Sequence, residues 1–276
     1  MSNCRYSAVL MRIILVFILL GMNFQSVNAS EESSNVYENR RNLMSGYLPL
    51  DSFPKIHELI PPPPEAGSVA LAHDEEISRK NLALRDTLRW KLAAQDADLD
   101  FPQAAGVFSC AINAPINEQD TPHLYMLLRK VVADASFSTF RAKNAYKRAR
   151  PFMVNRQPIC TPEVEVGLRG NGSYPSGHTA IGWVWALILC EISPEYTEEI
   201  LARGRAFGQS RVVCNVHWQS DVIEGRFAGT AIVARLHADP TFRADLEAAR
   251  IELEALRGKN LKPIRDCKAE AEALAK

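Results

Sequence analysis

The chain has 276 residues, with 32 Lys and Arg against 32 Asp and Glu, so its formal net charge is zero. That balance offers no long-range attraction for a nucleic-acid polymer or an anionic membrane, and any anionic substrate has to be met by a local cluster of bases. With 47% hydrophobic residues, the chain can bury a core of one large domain or two small ones.

Residues 1–29 read as a cleavable signal peptide. Arg5 and Arg12 precede the apolar run IILVFILLG, and Val27-Asn28-Ala29 has the small-x-small pattern of a cleavage site. The run is shorter than the ~20 apolar residues of a spanning helix. Cleavage after Ala29 would leave 247 residues with a net charge near −2, exported to the periplasm and not stably inserted in a membrane. Export permits disulfides among Cys110, Cys160, Cys190, Cys214 and Cys267, and five cysteines leave at least one thiol unpaired. No pairing follows from the sequence, and with no CxxC pair a structural zinc knuckle is not expected.

Residues 30–64 are expected to be an extended N-terminal segment, ending in Pro61 to Pro64, a run that favours polyproline II. From Asp74 onward the periodicity is helical. Leu82, Leu84, Leu88, Leu92 and Leu99 punctuate a charged, alanine-rich stretch, and Leu124, Leu127, Leu128, Val131 and Val132 form a second apolar face. Residues 178–192, 195–211, 217–237 and 240–257 are predicted as four further helices. No segment alternates with period two for long enough to suggest a sheet. The expected architecture is an all-α, single-domain helical bundle over residues 65–257, followed by a C-terminal tail at 258–276.

Three separated stretches carry polar residues that such a core would otherwise exclude. In KNAYKRARP, Lys143 and Arg150 are seven residues apart, which in a helix ending at Pro151 would place both on one face. Lys147 and Arg148 are accounted for by the favourable position of bases near a helix C-terminus. In GSYPSGHTA, Ser176 and Gly177 open a helix whose first amides face outward as an anion site, and His178 stands at its positive end. In SRVVCNVHWQSD, His217 and Asp221 are four apart on one face of a first helical turn, with Arg211 six residues upstream. A carboxylate on one imidazole nitrogen leaves the other as a directed lone pair. Three cations, a glycine-opened helix N-terminus and two histidines, one of them carboxylate-backed, are the parts that phosphoryl transfer needs. Nothing in this set requires a metal or another cofactor. Tyr174 and Trp218 adjoin these stretches as candidate walls for a leaving group. Trp183 and Trp185 are expected in or beside the core, and His57, His73, His123 and His237 have no partner at a useful spacing.

Lys-x6-Arg-Pro, Pro-Ser-Gly-His and Ser-Arg-x5-His-x3-Asp, here Lys143 to Pro151, Pro175 to His178 and Ser210 to Asp221, together resemble the three-part signature of the type 2 phosphatidate phosphatase and vanadium haloperoxidase superfamily. The wider GSYPSGHTA wording, with the signal segment and the chain length, is similar to the bacterial class A non-specific acid phosphatases. The resemblance implies metal-independent hydrolysis of phosphate monoesters to inorganic phosphate with broad specificity, in two steps and with sensitivity to vanadate. By matching positions it implies His217 as the nucleophile that becomes phosphohistidine, Asp221 as its orienting partner and His178 as general acid and base. Lys143, Arg150, Ser176, Gly177 and Arg211 would hold the phosphoryl oxygens. Apyrase-like action on nucleotides, a vanadate-dependent haloperoxidase, a phosphate-binding protein without turnover, and a zinc hydrolase using His178, His217 and Asp221 are the competing readings. The sequence leaves open the leaving group and any homo-oligomer.

Overall fold

The computed structural model of the chain describes residues 44–259 and 261–275. The expected signal peptide and residues 30–43 lie outside the described residues. Residues Ser45–Lys276 form one compact unit. Among the described residues all regular structure is helical, in keeping with the all-α expectation.

The centre of the fold is α7 (Gly177–Ile192). It buries residues on every side, from Ile181 and Val184 to Trp185, Ile188 and Ile192, as expected of a helix apolar all round. Around it pack α4 (Pro122–Tyr146), α8 (Thr197–Val213), α9 (Gln219–Leu236) and α10 (Pro240–Leu256). The ring of Trp185 meets Phe101, Phe108 and Phe207, and its Nε1–H donates to the Leu128 carbonyl at 2.9 Å, so the one polar atom of a fully buried indole is satisfied. Trp183 sits at the flank, donating to Thr230. The helices predicted from residues 178 to 257 match α7 to α10 within two residues at each end.

The shorter elements set the chain direction. α1 (Ile56–Leu59) and a turn at Leu50–Ser52 interrupt the expected extended segment. The Pro61 carbonyl at the start of the proline run accepts from Tyr174 Oη. α2 (Val69–Asn81) and α3 (Leu88–Gln95) are capped by Ser68 and Thr87, whose oxygens accept from the amides of Leu71 and Trp90. α4 ends at Tyr146, earlier than expected, because Lys147 turns into the left-handed region with φ 45°. Pro151 therefore does not end that helix. It occupies the first position of a new one, α5 (Pro151–Asn155), with Arg150 in extended conformation just before it. Lys143 and Arg150 are thus not on one helical face. α6 (Glu165–Arg169) follows.

The expected C-terminal tail contains a helix, α11 (Cys267–Leu274), capped by Asp266 and packed on α3. The Cys110–Cys267 disulfide joins it to the segment before α4, and a second bridge, Cys160–Cys214, ties the loop after α5 to the end of α8. Cys190 keeps its thiol, in line with the odd count.

Close approach at two glycines brings α8 and α9 onto α7. A methyl group at Gly182 would collide with the ring of Phe207, and one at Gly225 would lie 2.6 Å from the Ser176 carbonyl oxygen. Gly225→Ala would press on the Ser176 carbonyl and on the Cβ of Thr179, neither of them a flexible side-chain end, so it should lower the unfolding free energy by roughly 1–3 kcal/mol in urea titration. Gly167→Ala, in α6 with nothing within 4 Å of the added methyl, should be neutral or stabilising.

Candidate active site

The N-terminus of α7 abuts the N-terminus of α9, where the Ser176 amide donates to the Asp221 carbonyl at 2.9 Å. Asp221 is the third residue of α9. Its Oδ2 accepts from the Trp218 amide at 2.9 Å, as an acidic residue near a helix start does, and also from His217 Nδ1 at 3.0 Å. The other oxygen, Oδ1, accepts from Arg148 Nη1 at 2.6 Å. Arg148 Nη2 in turn donates to Asp74 on α2 at 2.7 Å, and Asp74 accepts from the amide and hydroxyl of Ser220.

Both faces of the His217 ring nitrogens are assigned by their neighbours. Asp221 is an acceptor at Nδ1, and Arg150 Nη1, which can only donate, lies 3.1 Å from Nε2. The tautomer that satisfies both carries its proton on Nδ1 and a lone pair on Nε2. Burial pushes the His217 imidazole well below its ordinary value, and Arg150, Lys143, Arg211 and His178 add to that. The Asp221 carboxyl is raised by burial, with the Arg148 guanidinium pulling hardest against the rise. Protonating Asp221 would cost the 2.6 Å contact with Arg148, so its charge stays with the arginine and histidine.

The cations converge. Lys143, near the end of α4, donates to the carbonyls of Gly172 and Ser173 at 2.8 and 3.3 Å. Gly172 makes this fit, since a methyl there would press on the Lys143 carbonyl. Arg150 comes from the extended link before α5. Its Nε donates to the carbonyls of Leu168 and Asn171, and its Nη1 to that of Val216 at 2.9 Å. Arg211, in the last turn of α8, is 2% exposed, and its Nε and Nη1 donate to no protein acceptor among the described residues. Burial pushes Arg211 down to about 9, with Arg150 adding repulsion, and pushes Arg150 down to about 10. Lys143 falls well below its ordinary value through burial and the same two arginines. Three buried bases close together, one of them with guanidinium nitrogens that lack an acceptor among the described residues, form a site for an anion.

Ser176 Oγ caps α7 by accepting from the Thr179 amide and hydroxyl, which leaves its own O–H to donate. Gly177 lies against Lys143, where a methyl would sit 3.8 Å from Lys143 Cε, and the first amides of α7 have no carbonyl a turn back within the helix. His178, next along α7, is within electrostatic reach of Arg211, Arg150, Lys143 and His217. Its Nε2–H donates to the Ala97 carbonyl at 3.0 Å, since a carbonyl only accepts, and burial followed by Arg211 pushes the imidazole well below its ordinary value. His178 and Arg211 lie at the floor of an open cleft of about 1340 Å³.

The structure therefore brings all eight candidate residues, Lys143, Arg150, Ser176, Gly177, His178, Arg211, His217 and Asp221, into one region. It does not place Tyr174 and Trp218 in the cleft wall. Tyr174 is buried with its hydroxyl on Pro61, and the Trp218 Nε1–H is spent on the Ala149 carbonyl. Arg148 is more than a helix-terminal charge, being the clamp between Asp74 and Asp221. Sequence spacing held no sign of it, because Asp74 is 74 residues away. His237, without a sequence partner, pairs with Glu191 at 3.0 Å on the far part of the bundle. Among the described residues no group of three His, Cys, Asp or Glu is placed to hold a metal ion, and none of their helices is long and apolar enough to cross a membrane.

Residues 123–244, from the start of α4 into α10, match the PAP2 superfamily. A non-specific acid phosphatase of Providencia stuartii is 45% identical over 72% of this chain and 81% of its own length. An acid phosphatase of Zymomonas mobilis is 44% identical over 71% of this chain and 74% of its own, and a non-specific acid phosphatase of Salmonella typhimurium 44% over 70% and 78%. The matched span contains every residue of the buried cationic cluster, so the chain belongs to the PAP2 superfamily, within its non-specific acid phosphatase group.

Proposed function

We propose that the protein is an exported acid phosphatase that hydrolyses phosphate monoesters in two steps through a phosphohistidine on His217, without a metal. The observation that carries this reading is Arg211, a buried guanidinium whose Nε and Nη1 have no protein acceptor among the described residues, beside a histidine whose Nε2 lone pair meets only the Arg150 guanidinium. Relatives named as acid phosphatases support the reaction class. The two disulfides support export to an oxidising compartment.

In the first step His217 Nε2 attacks phosphorus, the bond from phosphorus to the ester oxygen breaks, and His178 gives a proton to the departing alkoxide. Arg150 Nη1, which shares that lone pair, moves its donation to a phosphoryl oxygen as the substrate enters. Lys143, Arg211, Ser176 Oγ–H and the Gly177 amide hold the remaining oxygen charge, and Asp221 balances the cation forming on His217. In the second step neutral His178 takes a proton from water, the hydroxide attacks phosphorus, the P–N bond breaks and inorganic phosphate departs. Metal independence is supported by the cations themselves, which make the cradle unfavourable for a divalent ion.

Three outcomes test this reading. Inorganic phosphate or vanadate should raise the melting temperature by several degrees at about 100 times the dissociation constant, where linkage supplies ~2.7 kcal/mol. Arg211→Ala should remove most of that shift, whereas His217→Ala should keep it and lose hydrolysis by orders of magnitude. A His217→Ala protein that still turns over substrate would end the phosphohistidine proposal.

His178→Ala should cost about 10²- to 10⁴-fold in kcat/KM, which reports the first step, on an alkyl phosphate and much less on 4-nitrophenyl phosphate, whose leaving group needs no proton. The pH dependence follows from the same pair. His217 has to be neutral, so activity falls as pH drops through its depressed pKa. His178 has to be protonated when substrate is bound, so activity falls again as pH rises through a pKa that burial and Arg211 depress and the substrate dianion raises. The optimum should lie between about pH 5 and 7, near or below the ordinary histidine value. A profile flat from pH 5 to 9 would reverse the assignment.

A further inference from the structure

The cleft above His178 and Arg211 is much larger than a phosphoryl group, at about 1340 Å³. One wall is α3 and the segment after it. The C-terminal arm, packed on α3, contributes Ile264, Arg265, Ala269 and Ala273 to the lining.

The arm is held in three ways that do not involve the phosphate cradle. Cys267 is bonded to Cys110. Ile264 packs where Gly106 has no side chain, a methyl there lying 2.8 Å from Ile264 Cδ1. Glu270 reaches Arg203 at 3.3 Å, and Arg203 is paired with Asp96, whose neighbour Ala97 accepts from His178. The arm is thus seated against the same residues that position the floor of the cleft.

The surface it helps to form mixes apolar and charged residues. Leu88, Leu92, Leu99 and Ile264 supply its apolar part, and the exposed acids Asp98, Asp100, Glu163 and Asp266 outnumber the exposed Lys91 and the half-buried Arg265. Such a wall gains from burying a hydrocarbon leaving group and repels one that carries further phosphates.

We propose that the C-terminal arm is the specificity wall of the leaving-group subsite, selecting monoesters of apolar, uncharged alcohols over nucleoside polyphosphates. The inference rests on the phosphatase reading above. It goes further by naming the substrate class and the residues that choose it, and it places the nucleotide-directed alternative second.

The test compares kcat/KM for 1-naphthyl phosphate, ethyl phosphate and adenosine triphosphate in the full chain. The wild-type protein should prefer 1-naphthyl phosphate to adenosine triphosphate by about tenfold or more, and the gap should narrow as salt screens the acidic residues. Ala269→Trp, at an exposed position of α11, fills the cleft from the arm side. It should lower the naphthyl-to-ethyl ratio by about tenfold, the scale on which apolar pockets discriminate. The Cys110→Ser, Cys267→Ser pair unties the arm and should lower the same ratio while ethyl phosphate is still hydrolysed.

Turnover of all three substrates with ratios unchanged in both variants would overturn the inference and leave the phosphatase reading intact. A wild-type preference for adenosine triphosphate would overturn it equally. No turnover of any monoester by the wild-type chain would overturn the reading and the inference together.

Discussion

The carboxylate of Asp221 is the joint on which this fold and its site depend. Its side chain accepts from His217, the Trp218 amide and Arg148, while its backbone carbonyl accepts from the Ser176 amide. One residue therefore connects the stretch after α4, the start of α7 and the start of α9, three places far apart in the chain. A buried carboxylate is costly unless charge and hydrogen bonds compensate it, and here each oxygen is used. The same compensation that makes the residue tolerable in the interior orients the histidine beside it.

The second constraint is the crowding of positive charge. Burial lowers the proton affinity of Lys143, Arg150 and Arg211, and Arg150 is close enough to lower that of the other two further. Folding has to hold them there against that repulsion. The chain does so by spending Lys143 and most of Arg150 on backbone carbonyls, which leaves Arg211 as the base with nitrogens to spare. Close helix contacts at Gly182 and Gly225 leave little room for the cradle to relax. Function and stability are opposed at this site, because the arrangement that suits an incoming anion is electrostatically unfavourable by itself.

The rest of the molecule serves as a frame. α7 is anchored by Trp185 at its middle, so its N-terminal turn points at the cradle from a fixed axis. The arm tied by Cys110–Cys267 lines the same cleft as His178 and Arg211.

The sequence by itself determined the helical class, the limits of α7 to α10 and the identity of the polar cluster. Those features are local: apolar periodicity fixes which helix faces are buried, and His217 with Asp221 or Ser176 with Gly177 are neighbours within one turn. Tertiary structure alone decided the rest. The left-handed turn at Lys147 put Arg150 on a separate element, and Arg148 acquired its role only when α2 brought Asp74 across. It was tertiary structure, too, that paired the cysteines and made a cleft wall of what read as a tail. The physical reason is the same each time: a charge or thiol in a polar stretch looks solvated until a distant segment, carried by the packing of apolar faces elsewhere, arrives to pair with it.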